Sequence, residues 1–180
     1  MVLLSSLCFG QNKINNKLHF FGVAQADIGL DLGSIVNPDT NVDGTPNYYS
    51  ENPTYFTYGL TTKAGYQPFN WLALSSGLRY SFISPKFHNL YWLIQPYFFF
   101  SPAEDKDFNY LTFNYGTQIN STQGRSHNGF IGIGIGKFDL VGQNFAQKLQ
   151  LNLDVHTTLN DAVWFLGLSY GIVIFSNKNL

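Results

Sequence analysis

From Gln147 to Thr158 the chain reads QKLQLNLDVHTT, and polarity alternates residue by residue. Leu149, Leu151, Leu153 and Val155 hold one parity, while Gln150, Asn152, Asp154 and His156 hold the other. Successive side chains of a strand point to opposite faces, so the pattern predicts a strand with one apolar and one polar face. A helix would mix the two sets around its circumference. The same two-residue period predicts strands at Leu18–Leu30, Thr54–Gln67, Trp71–Phe82, Leu90–Phe100, Phe108–Ile119, Gly129–Lys137 and Trp164–Phe175. In the first of these the even positions from Leu18 to Leu30 form the apolar face, and the odd ones, His19 to Gly29, carry the polarity. Pro96 lacks the ladder donor and predicts a bulge or local fraying in the fourth strand.

Eight strands of about 9–14 residues are near the length that a tilted strand needs to cross a bilayer. An even number of antiparallel strands closes with both termini at one end and leaves no exposed edge. On this reading the connections after strands one, three, five and seven lie outside. Those after strands two, four and six face the periplasm. Gln67–Asn70 makes a tight periplasmic connection, and Ile83–His88 is a short loop on the outer side. Phe138–Ala146 is longer than expected for a periplasmic turn. Asp31–Pro53 and Asn120–Asn128 are polar outer loops, and Ser101–Asp107 is a charged connection.

Composition decides what the two faces see. Charged residues make up 12 % and aromatics 17 % of the 180 residues, so charge is about half the usual share. Mean hydropathy is near zero, and no apolar run reaches the ~18 residues of a spanning helix. A transmembrane β-barrel combines these features, because polar lumen positions dilute its lipid face. The apolar parity has no charge at strand centres, whereas the opposite parity carries Asp27, Lys63, Arg79, Asp154 and His156. A charge at mid-bilayer costs about 2–4 kcal/mol, which enforces this segregation. Aromatics gather near the strand ends, with Phe20, Tyr66 and Trp71 toward one rim and Phe56, Tyr80, Phe82, Trp92 and Trp164 toward the other. The expected fold is an all-β, eight-stranded, antiparallel up-and-down transmembrane barrel over residues 17–175, with a short tail at 176–180. The alternative is a soluble lipocalin-like ligand-binding barrel, in which the same aromatics would be core. A net charge of −1 without a Lys/Arg cluster argues against nucleic-acid binding.

The five interior ionisable residues would sit in a narrow lumen, where pairing into a structural plug is expected over a binding or proton-handling role. The glycines of GFIGIGIGK (Gly129–Lys137) point inward and make room for large neighbours such as Tyr110 or Arg79. Alternation with Ile, and the missing helix and Lys-Ser/Thr, separate this run from a phosphate loop. His19, His88, His127 and His156 lack metal-ligand spacing, and Asp31–Asn52 lacks a calcium-loop pattern. No metal or cofactor is expected. Met1–Gly10, MVLLSSLCFG, reads as a signal-peptide remnant cut before Gln11, followed by a polar leader at 11–16. Acylation of Cys8 is disfavoured by Leu7, which stands where a small residue belongs.

The stretches GYQPFNWLALSSGLRY (Gly65–Tyr80), GFIGIGIGK and GLSYGIVIF (Gly167–Phe175) resemble the small eight-stranded outer-membrane barrels of Bacteroidota, similar in architecture to the outer membrane protein A-type barrel. The resemblance implies a Gram-negative outer-membrane location, contact with outer-membrane lipid, and recognition of a closing aromatic, Phe175, by the barrel assembly machinery. The SNKNL tail departs from a strictly terminal aromatic. Many such barrels have no assigned activity, and the expected role is structural or interactive, with an envelope protein as a potential partner. The competing class is a lipid A deacylase-like enzyme, since His156-Thr157-Thr158-Leu159-Asn160 faintly resembles a deacylase His and Ser two residues later near Asn. Thr158 replaces the Ser, Leu159 interrupts the Ser-Asn pair, and His156 points inward, so no catalytic residue is assigned.

Overall fold

Alternation of apolar and polar side chains produces eight strands: β1 (Phe20–Asp31), β2 (Phe56–Phe69), β3 (Leu72–Ile83), β4 (Phe87–Phe99), β5 (Asp107–Gln118), β6 (Gly129–Leu140), β7 (Phe145–Thr158) and β8 (Asp161–Phe175). The computed structural model describes residues 18–32, 56–84, 87–100, 107–120, 129–142, 144–158 and 161–176. The expected signal remnant with Cys8, the leader, His127, most of loops 31–53, 101–107 and 120–128, and residues 177–180 of the tail lie outside the described residues. Each strand pairs antiparallel with its neighbours in sequence, and β8 closes on β1 through pairs from Phe21–Phe175 to Asp31–Phe165.

Pairing is staggered around the barrel. The paired positions run from Gly22 through Ala64, Ser76, Ile94, Tyr115, Ile131 and Val155 to Trp164. Trp164 is one step beyond the Asp31–Phe165 pair and so falls opposite position 32, the residue that follows β1. One circuit thus advances the register from 22 to 32, a shear of ten residues that tilts the strands and sets the lumen width.

The outward parity forms an apolar belt on all eight strands, including Ile28, Leu60, Leu78, Ile94, Phe113, Ile133, Leu151 and Leu168, each at least 39 % exposed. The inward parity is buried. His156 is 0 % and Gln150 1 % exposed, beside Leu151 at 49 %. A water-soluble fold would bury the apolar set, so this arrangement is inside-out.

Several sequence expectations change. Leu18 is not on the outward face. His19 has φ 51°, a left-handed conformation that reverses the alternation, so Leu18 turns into the lumen at 1 % exposure and its amide donates to Gln67 Oε1 at 2.6 Å. The long connection at Phe138–Ala146 is also corrected. Both strands continue into it and leave only positions 141–144, closed by Val141 and Gly142 amides donating to Phe145 O at 3.0 and 3.1 Å. β2 runs past Gln67 to Phe69, with a register irregularity between Tyr66 and Phe69. β4 begins at Phe87, which shortens the loop expected at Ile83–His88 to positions 84–86.

Pro96 makes no bulge. The β3–β4 register runs unbroken through Leu74–Pro96. The β4–β5 ladder instead skips from Ile94–Tyr115 to Tyr97–Thr112 with its register unchanged. Pro96 therefore faces β5 without a donor, and its carbonyl accepts the Thr112 hydroxyl at 2.6 Å. The Phe113 carbonyl opposite Pro96 loses its ladder donor, and amide hydrogen exchange is expected to be faster at residue 113, whose amide faces β4 at this gap, than at residue 133, whose amide faces β7 in an unbroken ladder. Equal protection at these sites would show that the seam is as tight as its neighbours.

Candidate functional site

The lumen is layered. At the end that carries Phe20 and Phe175, the side chains of Leu18, Phe21, Tyr97, Tyr110, Phe138 and Phe175 belong to one apolar cluster. At the other end Ile83, Val163 and Phe165 pack with Phe87. Between them lies a continuous polar network.

Asp27, Arg79 and Asp154 come from β1, β3 and β7, and the stagger of the register brings them together. Arg79 Nη1 donates to Asp154 Oδ2 at 2.8 Å, and its Nε lies 4.0 Å from Asp27 Oδ2 and 3.2 Å from Ser81 Oγ. Asp27 also accepts from Gln25 Nε2 at 2.6 Å, Thr61 Oγ1 at 2.6 Å and Ser169 Oγ at 2.5 Å. Asp154 accepts a further bond from Asn114 Nδ2 at 3.2 Å. Two carboxylates thus share one guanidinium, and hydroxyl and amide donors occupy their remaining lone pairs.

Lys63 stands apart from this triad. Its ammonium donates to Gln25 Oε1 at 3.1 Å and to Gln95 Oε1. Lys148, 0 % exposed, donates to the same Gln25 oxygen. Gln25 consequently links both lysines to Asp27. Both ammoniums lie 5.6 Å from the centre of the Tyr97 ring. The polar chain extends through Gln95, Gln150, Asn152 and Ser169, with Tyr110 Oη donating to Gln150 Oε1 at 3.0 Å.

His156 is not part of the ion network. Its ring stacks on Phe130 at 5.0 Å and 13°, and Tyr91 and Phe165 meet it edge-on. Nδ1 lies 3.3 Å from Tyr91 Oη, and the buried Nε2 has no partner. Arg79 lies over the Phe130 ring at 4.7 Å. Thr57 Oγ1 and Asn89 Nδ2 are also buried and unpartnered. No group of three His, Cys, Asp or Glu able to hold a metal occurs among the described residues.

All five ionisable residues singled out in the sequence face the lumen, but only Asp27, Arg79 and Asp154 form one cluster. Lys148 was missed, although it shares the parity of Gln150 and Asp154 in the same stretch. Asp31, placed in a loop by its sequence, is 9 % exposed at the end of β1. The glutamines that carry the network have no charge to advertise them.

Neither a family model nor a curated protein matches this sequence. Among solved structures the chain is similar to Neisserial surface protein A, at TM-score 0.62 and 13 % identity over 87 % of this chain and 97 % of that one. It also aligns with the N-terminal β-barrel domain of Pseudomonas aeruginosa OprF, at TM-score 0.47 and 21 % identity over 85 % of this chain and 97 % of that domain. The fold is that of the eight-stranded outer-membrane barrels. At these identities the likeness carries the architecture and nothing finer.

Within that architecture the lumen offers charge pairing and hydrogen-bond donors. The aromatic box turns His156 away from the outward face, and the side chain of Thr158 lies outside the described residues. Replacing His156 alone with Phe removes the unpartnered Nε2 but also takes the 3.3 Å contact from Tyr91 Oη, so little net change in stability is expected. His156→Phe with Tyr91→Phe removes Nδ1, Nε2 and Oη together and is expected to stabilise by about 1 kcal/mol in urea unfolding. Destabilisation of the double variant by a similar amount would show that the polar pair contributes more than its buried cost.

Proposed function

We propose that this chain is a non-enzymatic outer-membrane barrel with a structural or interaction role in the cell envelope. The observation that carries this reading is the inside-out distribution of polarity, with a continuous apolar belt outward and hydrogen-bonded charge inward. The belt meets lipid acyl chains. The lumen is closed to ions by the Asp27–Arg79–Asp154 triad and the aromatic layers at either end. The loops expected at Asp31–Pro53 and Asn120–Asn128 follow the ends of β1 and β5 that lie opposite Phe20 and Phe175, and they are offered to a partner outside the cell. A secretory signal at the N-terminus and recognition of Phe175 by the assembly machinery complete the route to a Gram-negative outer membrane. The similarity of Gly65–Tyr80 and Gly129–Lys137 to the barrels of Bacteroidota favours that source.

The test is detergent extraction followed by gel migration of unheated and boiled samples, with planar-bilayer recording of the folded form. Faster migration when unheated, and no step conductance, are expected. Partition into the aqueous phase without detergent would favour the lipocalin-like alternative. Open-channel current would remove the closed lumen. His156→Ala is expected to leave lipid A acylation unchanged in cells, and an altered acylation pattern would revive the deacylase reading.

A further inference from the structure

At the rim that carries Phe20 and Phe175, the outward face turns polar in one sector. Elsewhere at this end the exposed outward side chains include Phe20, Tyr66, Trp71 and Ile174. On β6 the outward parity instead continues from Ile135 to Lys137 and Asp139. Register places Asn109 of β5 beside Lys137, and Gln147 of β7 beside Asp139. Lys137 Nζ lies 2.6 Å from Asp139 Oδ1, and the two side chains are 42 % and 37 % exposed. Asp139 Oδ1 is itself buried, so the exposed edge of this carboxylate is Oδ2. Lys137 is the one cation that reaches the carboxylate among the described residues.

An ion pair on a lipid-facing parity meets headgroups, because hydrocarbon solvates neither charge. Leu149 pairs with Lys137, and Ile135 and Leu111 lie one outward step toward the barrel centre, all three exposed. They offer a bed for acyl chains beside the charges. A lone anion would suit Lys137 but repel Asp139, and a lone cation would do the reverse. A ligand with both signs a few bonds apart matches the pair when its charges lie in the opposite order. A primary ammonium adds N–H donors for Asp139 Oδ2, which a trimethylated one lacks. We propose that Lys137 and Asp139 dock the headgroup of a phosphoethanolamine lipid, with its phosphate on Lys137 and its ammonium on Asp139 Oδ2. The site rests on the reading of the belt as lipid-facing.

The experiment uses the whole folded protein in nanodiscs of phosphatidylethanolamine and phosphatidylcholine in equal amounts, with identical acyl chains. Lipids retained on the protein after transfer to detergent are counted by native mass spectrometry. Phosphatidylethanolamine is expected to be retained about two- to fivefold over phosphatidylcholine, the range of an exposed charge pair. Asp139→Asn is expected to lose this preference while both lipids still bind, whereas Lys137→Met weakens both. Tyr66→Phe, at the same rim but outside the polar sector, keeps the preference. Equal retention by the wild type would overturn the site, as would a preference that survives in Asp139→Asn. If Asp139→Asn does not fold, N-methylated phosphatidylethanolamines decide the matter on the wild type. Retention is expected to fall as N–H groups are replaced, and retention unchanged up to the trimethylated lipid overturns the proposal. A barrel that never enters the nanodisc overturns the envelope reading together with the site. An inserted barrel without the preference overturns the site alone.

Discussion

Arg79→Met is expected to destabilise the folded barrel by about 3–5 kcal/mol, because it leaves two carboxylates buried without their shared cation. Asp27 keeps Gln25, Thr61 and Ser169 as donors, whereas Asp154 keeps only Asn114, so the loss falls mainly on Asp154. Arg79→Lys retains the charge but cannot span both acceptors with a planar fork, and an intermediate loss is expected. The triple variant Asp27→Asn, Arg79→Met, Asp154→Asn removes the ions together and is expected to recover much of the stability. Urea unfolding in lipid vesicles, followed by tryptophan fluorescence, gives the comparison. An Arg79→Met midpoint within about 1 kcal/mol of wild type would mean that water reaches the carboxylates, since exposed ion pairs contribute little. A triple variant no better than the single one would locate the loss in packing around the guanidinium and Phe130.

The grouping of Arg79 with Asp27 and Asp154 was beyond the reach of alternation. Parity tells which face a side chain occupies, and it put all three inward correctly. Their meeting depends on the ten-residue stagger of the barrel, which depends on every strand end at once. Lys148 failed for a smaller reason, as it lies at the start of a clean apolar–polar run and parity alone would have found it. Leu18 shows the limit of parity itself, because a single left-handed residue, His19, cancels the rule on its far side. Pro96 was legible as a missing donor, but its consequence was an opened ladder with Thr112 covering the carbonyl, which requires knowing the neighbour. The inward glycines were readable as room for something large. At Gly136 the occupant is the Tyr110 phenol, as the sequence suggested, whereas at Gly132 it is the Asp154 carboxylate.

The occupant of Gly132 matters for the other large effect, which tests the outward face. Ile133→Arg and Leu151→Arg place a guanidinium in the apolar belt, between strands whose neighbouring outward residues are Phe113 and Leu153 for Ile133 and Leu168 and Ile135 for Leu151. Each is expected to cost about 2–4 kcal/mol if the belt meets hydrocarbon. Gln147→Arg, on the same parity of β7 but near the rim, is expected to cost under about 1 kcal/mol because the charge reaches headgroups. Folding yield and urea midpoints in vesicles read the series, and an equal cost at Gln147 and Leu151 would contradict a lipid-facing belt. Gly132→Ser is not a neutral lumen control for these variants. A Cβ there collides with Asp154 Oδ1 and comes within 2.8 Å of the Leu153 carbonyl, so the carboxylate that holds Arg79 must shift. Its loss is expected to persist in detergent micelles and to follow packing rather than depth, whereas the arginine series changes with the position of the charge across the bilayer.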